Sequence, residues 1–191
     1  MSELRTNRIV PRDGLVSGTG IGGGIIQVKS VTKTDTFAND SETFADVTGV
    51  TVTITPTRSD SKLLIMYNGC ASMESTNRMG HVRIVRVVGG TTNTTIYVGD
   101  HGATTAQARA SSSFASVYNY MLQQFSGTFM DSPATTSAVT YKMQAAAGDQ
   151  GYTVNIGRDH ENSNEFTAIS IVLILDGVVV TVNTNTPVPA L

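Results

Sequence analysis

Valine, isoleucine and threonine supply 21, 12 and 27 of the 191 residues, whereas leucine supplies only 8. β-Branched side chains lose rotamer freedom in a helix but pack well on a pleated surface, so a chain built on them is mostly strand. That bias excludes a helical protein. A single cysteine, Cys70, excludes one built on disulfides or on a multi-cysteine metal site. The length suits one domain, which at this size buries roughly 70% of the surface its unfolded chain exposes.

Charge narrows the partners. Only 15% of residues are charged and the formal net charge is -2, against about 25% charged in an average domain. No cationic field exists to hold nucleic acid or an anionic membrane. A lone soluble domain keeps a more charged surface, so the shortfall predicts that neighbouring subunits cover part of this one. The opening Met1–Arg8 lacks the basic-then-apolar layout of a signal peptide, and no apolar run approaches 20 residues. A soluble protein made in a cytoplasm, without membrane insertion, is expected.

Residues 1–24 read as an extended arm. They carry Arg5, Arg8 and Arg12, then Pro11 and glycines from Gly18 to Gly24, with no apolar period long enough to fold alone. Strand patterns begin at 25–34 and continue at 47–55, 62–69, 81–88, 94–99, 124–131, 139–146, 151–157 and 168–175. In 47–55, Val50, Val52 and Ile54 fall on one face and Thr51, Thr53 and Thr55 on the other. Segment 82–88 puts Val82, Ile84 and Arg86 on one face and Arg83, Val85 and Val87 on the other, which predicts a central strand with a bulge. In 168–175, Ile169, Ile171, Leu173 and Leu175 alternate with Val172 and Ile174, so cover on both sides is expected. Asp176-Gly177 between that run and 178–183 signals a two-residue hairpin turn. Only 103–121 could support a helical turn, and a long loop followed by strand from about Phe114 is expected there. The spacing predicts one antiparallel β-sandwich over 25–183 and a C-terminal tail over 184–191.

Motifs for chemistry are sparse. Gly18, Gly20 and Gly23 have dinucleotide-loop spacing, but no strand precedes them and no helix follows, so they read as a hinge between arm and domain. Asp159, His160, Glu161, Asn162, Asn164 and Glu165 cluster oxygen ligands without the glycine and spacing of a calcium loop, and read as a turn. Asp100-His101-Gly102 reads likewise as a turn and not as half of a triad; the third histidine is His81. Cys70 lacks any nucleophile signature and reads as a small buried residue. Neither a catalytic residue nor a cofactor or metal site is predicted. Tyr118, Tyr120 and Phe125 flank a Ser/Ala-rich stretch, where aromatics either anchor a partner or fill a core.

Several ordered stretches resemble a family of small virion structural proteins of tailed bacteriophages, of the marine-phage type, described as tail-fibre or fibre-like. They are SELRTNRIVPRDGL (2–15), GGGIIQV (22–28), VTGVTVTITP (47–56), DSPATTSAVTYKMQ (131–144) and AISIVLIL (168–175). The resemblance implies a jelly-roll-like sandwich, similar to tumour-necrosis-factor-like domains and trimeric fibre heads, on an arm that attaches to the particle. Family members end soon after the last apolar strand, whereas this chain continues through VVVTVNTNTPVPAL, and it lacks a stalk, which favours head decoration or a compact adaptor over a fibre. The expected protein is therefore a non-enzymatic virion component: a homotrimer that meets other virion proteins through 1–24, with Leu4, Ile9 and Val10 as apolar anchors and Arg5, Arg8 and Arg12 as charge partners. The alternative is a host-receptor or glycan-binding module whose loops contact a host surface polymer.

Overall fold

A computed structural model describes residues 25–90, 92–98, 110–118, 121–159 and 170–177. Among them are eleven strands and no helix: β1 (Ile25–Lys33), β2 (Phe37–Asn39), β3 (Ala45–Ile54), β4 (Lys62–Met73), β5 (Arg78–Val88), β6 (Thr92–Ile96), β7 (Ser112–Ser116), β8 (Gln123–Asp131), β9 (Val139–Ala147), β10 (Val154–Ile156) and β11 (Ser170–Gly177). Four antiparallel pairs nest inside one another along the chain: β1 with β11, β3 with β9, β4 with β8, and β5 with β7. They join into sheets ordered β1-β11-β4-β8 and β3-β9-β5-β7. This is the winding of a jelly roll, two antiparallel sheets made by rolling up one long hairpin. β10 and β2 continue the first sheet, because β4 pairs with β11 at Lys62–Asn68 and with β10 at Ala71–Met73 while β8 takes its opposite edge. β6 pairs with β5 at Ile84–Val88, on the same edge of β5 that β7 takes at Arg78–Val82.

The core follows the β-branched alternation. Val50, Val52 and Ile54 of β3 are buried while Thr51 and Thr53 face solvent. Val47 is buried as well, three residues before Val50, which strict alternation forbids. The register with β9 shifts between Asp46 and Thr51, and Gly49 there takes φ of 83°. That bulge re-phases the strand, and glycine suits it because it tolerates positive φ. From the other strands Leu63, Ile65 and Tyr67 meet Val82, Ile84, Tyr141 and Met143 in the same cluster.

Two aromatic rings lie across glycines. Tyr67 pairs in register with Gly127, and Phe114 with Gly80. A Cβ on Gly127 would sit 2.4 Å from the Tyr67 Oη, and one on Gly80 would sit 2.4 Å from the Phe114 Cζ. Each ring occupies the space a cross-strand side chain would have filled.

Several expectations need correction. Asp176-Gly177 is not a tight turn: both residues are in strand, Asp176 pairing with Gln27 and Leu63, and Gly177 with Ile25 and Lys62. Both edges of β11 are occupied, by β1 and β4; the segment 178–183 expected to pair with it lies outside the described residues. β5 is central, as expected, but its register with β9 runs without a bulge. The 62–69 strand extends to Met73, carrying Cys70 inside it, and the 151–157 strand shrinks to Val154–Ile156. The three-residue β2 was too short to show a period. Of 103–121, residues 112–116 form β7, so strand starts slightly before Phe114.

Candidate assembly surfaces

The strand directions give the sandwich two distinct ends. Ile25, where the described domain begins, pairs with Gly177, which pairs with Lys62. The described domain therefore begins and ends side by side at one end, next to the β3–β4 and β8–β9 loops. At the other end lie the β2–β3, β4–β5, β7–β8 and β9–β10 loops. The nine residues of β1 separate the two by about 30 Å.

The outer faces of the two sheets differ in chemistry. On the β3-β9-β5 sheet, Asp46 accepts from Lys142 Nζ at 2.8 Å and from Gln144 Nε2 at 2.6 Å. Arg83 donates to Gln144 Oε1 at 2.8 Å and lies over the Phe44 ring at 4.0 Å. Partial burial pulls the Asp46 carboxyl upward, but the Lys142 and Gln144 hydrogen bonds hold it below its ordinary value. That face is a paired, solvated charge network. The outer face of the β1-β11-β4-β8 sheet is different. Val28, Ser30 and Thr32 of β1, Leu64, Met66 and Asn68 of β4, and Gln124, Ser126, Thr128 and Met130 of β8 share it by register. Among these described positions none is charged, and Val28 is 55%, Met130 57% and Met66 39% exposed. Lys62 stands at its rim, donating to Ser132 Oγ. Charge depletion with methionine enrichment marks the core of protein interfaces more than free surface.

The end away from Ile25 carries a second apolar patch. Val117 and Tyr118 are 54% and 70% exposed in the β7–β8 loop, with Met121 beside them and Met79 on the adjoining strand. The loop is held by Ser116 Oγ donating to Tyr118 O and by Met121 N donating to the same oxygen at 3.1 Å. Next to Met79, Gly148 N donates to Met79 O and Ala147 N to Ser41 O. At the same end, beyond β9 from Met79, lies a shallow depression of about 450 Å³ lined by Asp40, Ser41, Glu42, Thr43, Gln150 and Gly151.

Three groups carry chemistry without forming a reaction centre. Arg86 Nη1 donates to Asp131 Oδ1 at 2.7 Å, and Tyr141 Oη donates to Asp131 Oδ2 at 2.6 Å. Arg86 and Tyr141 are cross-strand partners and Asp131 comes from the facing sheet, so the trio ties the sandwich together. Burial, then the bond to Asp131, raises the Tyr141 phenol and keeps it a donor. His81 Nδ1 lies 2.8 Å from Ser113 Oγ, its register partner, which is a cross-strand pairing that a sheet face produces by itself. Burial pushes the Cys70 thiol up, which works against thiolate formation.

His81 gives a pH prediction. Burial lowers its imidazole below the ordinary 6.5, with Asp149 pulling the other way. Below about 6.5 the unfolded chain therefore holds more protons at this site than the folded one, and stability falls with pH until the folded imidazole also titrates. The urea midpoint of His81→Gln should drop less between pH 7 and pH 5.5 than that of the parent. An equal drop contradicts the assignment.

The sequence-predicted residues divide accordingly. Leu4, Arg5, Arg8, Ile9, Val10 and Arg12 lie outside the described residues, as do Gly18, Gly20, Gly23, His101, Tyr120 and His160 to Glu165. Tyr118 is exposed whereas Phe125 is core, stacked on Phe114 and tilted against Tyr67. Arg83 and Arg86 do point to opposite faces, Arg86 inward to Asp131, while Val85 and Val87 are buried outside the core cluster. Asp159, read as part of a solvated turn, is instead buried. The uncharged sheet face was missed, although 124–130 shows it: alternate positions Gln124, Ser126, Thr128 and Met130 carry no charge.

No known family matches this sequence, and no curated protein does. Thirteen chains of solved structures match it in fold comparison. One is from the structure of infectious bursal disease virus Gx strain, with a TM-score of 0.34 and 11% identity over 80% of this chain. This chain spans 39% of that one. Similarity at that level assigns neither family nor function.

Proposed function

We propose that the chain is a non-enzymatic structural subunit of a tailed-phage virion, a homotrimer fixed to the particle through residues 1–24. The observation that carries the assembly is the uncharged outer face of the β1-β11-β4-β8 sheet. Such a face can be buried against copies of itself without stranding a charge, whereas the opposite face, with Asp46, Lys142 and Arg83, cannot. The ordered stretches at 2–15, 22–28, 47–56 and 131–144 support the virion setting. The domain's polarity supports the arm's role, because Ile25 places the junction with residues 1–24 at one end and leaves the other end clear. Deleting 1–24 should give a folded protein, with the same far-ultraviolet dichroism, that no longer joins particles in complementation. Incorporation at parental levels sinks the proposal.

A second reading, a glycan-binding or host-receptor module, is favoured by one observation: Tyr118 stands exposed at the end away from Ile25. Aromatic side chains in exposed loops stack on sugar rings. Purified protein that blocks phage adsorption, with Tyr118→Ala abolishing the block, selects this reading. No block by saturating protein rejects it.

A further inference from the structure

We propose that the end of the sandwich opposite Ile25 is a docking site for residues 4–12 of a second copy of this chain. The inference rests on the arm being the attachment element and names what it attaches to. The site has two parts at the same end. Met79, Val117, Tyr118 and Met121 form an exposed apolar patch, and across β9 from Met79 the depression holds Asp40 and Glu42, both exposed. The other carboxylates nearby are committed: Asp35 to Lys33 at 2.8 Å, Asp149 to Arg78 at 3.4 Å and Glu74 to the Thr153 amide at 3.0 Å. Among the described residues Asp40 and Glu42 have no cationic partner in an ion pair, so this end offers apolar contact next to uncompensated negative charge.

Residues 4–12 supply the complement. Between Leu4 and Arg12 the chain carries three arginines and no acid, interspersed with Leu4, Ile9 and Val10. Apolar anchors flanked by arginines match an aromatic patch flanked by carboxylates, and exposed Tyr and Met are residue types favoured at such contacts. The reach of the arm allows another copy as the host. The arm joins the domain at the end far from the site, about 30 Å away, and 24 extended residues reach at most about 80 Å. A copy stacked end to end presents its site directly to that arm. A head-to-tail contact of this kind is heterologous and propagates along a row of subunits.

Complementary charge reversal tests the contact with the full-length protein. One variant carries Arg5→Glu, Arg8→Glu and Arg12→Glu; the other carries Asp40→Lys and Glu42→Lys. Each alone should self-associate about tenfold more weakly than the parent in sedimentation velocity at low salt. Mixed, they should associate again, because the intact arm of the second meets the intact site of the first and the two reversed partners also match. Tyr118→Ala in the parent should weaken association roughly thirtyfold. A mixture no tighter than its separate components overturns the proposal, since it places docking within one assembly or on a different protein; so does a Tyr118→Ala variant that associates like the parent. Particle incorporation separates the two levels. An arm-reversed protein that joins particles normally removes the arm's attachment role itself. One that fails to join, while the mixture also fails to associate, leaves the arm's role standing and removes only this partner.

Discussion

Asp131→Ala should lower the unfolding free energy by about 3 kcal/mol, the low end of the cost of breaking a buried ion pair. The carboxylate serves two donors at once, Arg86 Nη1 and Tyr141 Oη, at 2.7 and 2.6 Å. Truncation strands a guanidinium that is only 20% exposed and a phenol inside the core. Partial solvent access to Arg86 keeps the loss from reaching the upper end of the range. Asp131→Asn retains an acceptor for the phenol and should cost less. Replacing all three residues together, by Arg86→Met, Asp131→Leu and Tyr141→Phe, should recover most of the loss, because no polar group is then left buried alone. Urea unfolding at one fixed protein concentration measures all three, since assembly makes stability concentration-dependent. A loss under about 1 kcal/mol for Asp131→Ala contradicts the role of the trio as a tie between sheets.

Gly127→Ala should be comparably damaging, by about 3 kcal/mol, although glycine to alanine in a strand is ordinarily favourable. The added methyl would lie within 2.5 Å of three atoms of the Tyr67 side chain. That ring cannot easily retreat. It is 2% exposed, contacts Phe125 at 6.5 Å between centroids, and its hydroxyl lies 3.1 Å from Ser112 Oγ. A double mutant with Tyr67→Leu should cost less than the sum of its parts, because the smaller side chain vacates the space the methyl needs. Strict additivity in unfolding free energy is the contradicting result.

The parts of this fold legible in the sequence are those that obey a local rule. β3 shows its inward valines and outward threonines by alternation alone, and β8 and β9 were placed to within a residue at each end. The misread parts depend on what lies beside the strand. Asp-Gly between apolar runs is a turn signal only if the strand's edges are free, and here β1 and β4 occupy both. Val47 and Val50 share the core because Gly49 supports a bulge, which a two-residue period cannot register. Asp131 looks like a strand-ending acid in sequence; its partners Arg86 and Tyr141 are 45 and 10 residues away. The low charge was visible at once, but that it concentrates into one uncharged face could be seen only after register had aligned β1, β4 and β8.

That face decides the account most directly. Sedimentation equilibrium on the Arg5→Glu, Arg8→Glu and Arg12→Glu variant, in which the arm contact between copies is broken, should give the mass of three 20.2 kDa chains. Adding Met66→Lys, which places a charge amid an uncharged row at an already exposed position, should give the mass of one chain with unchanged far-ultraviolet dichroism. An arm-reversed protein that sediments as a single chain, or one that remains trimeric with Met66→Lys added, contradicts the assignment of this sheet as the surface on which the subunits meet.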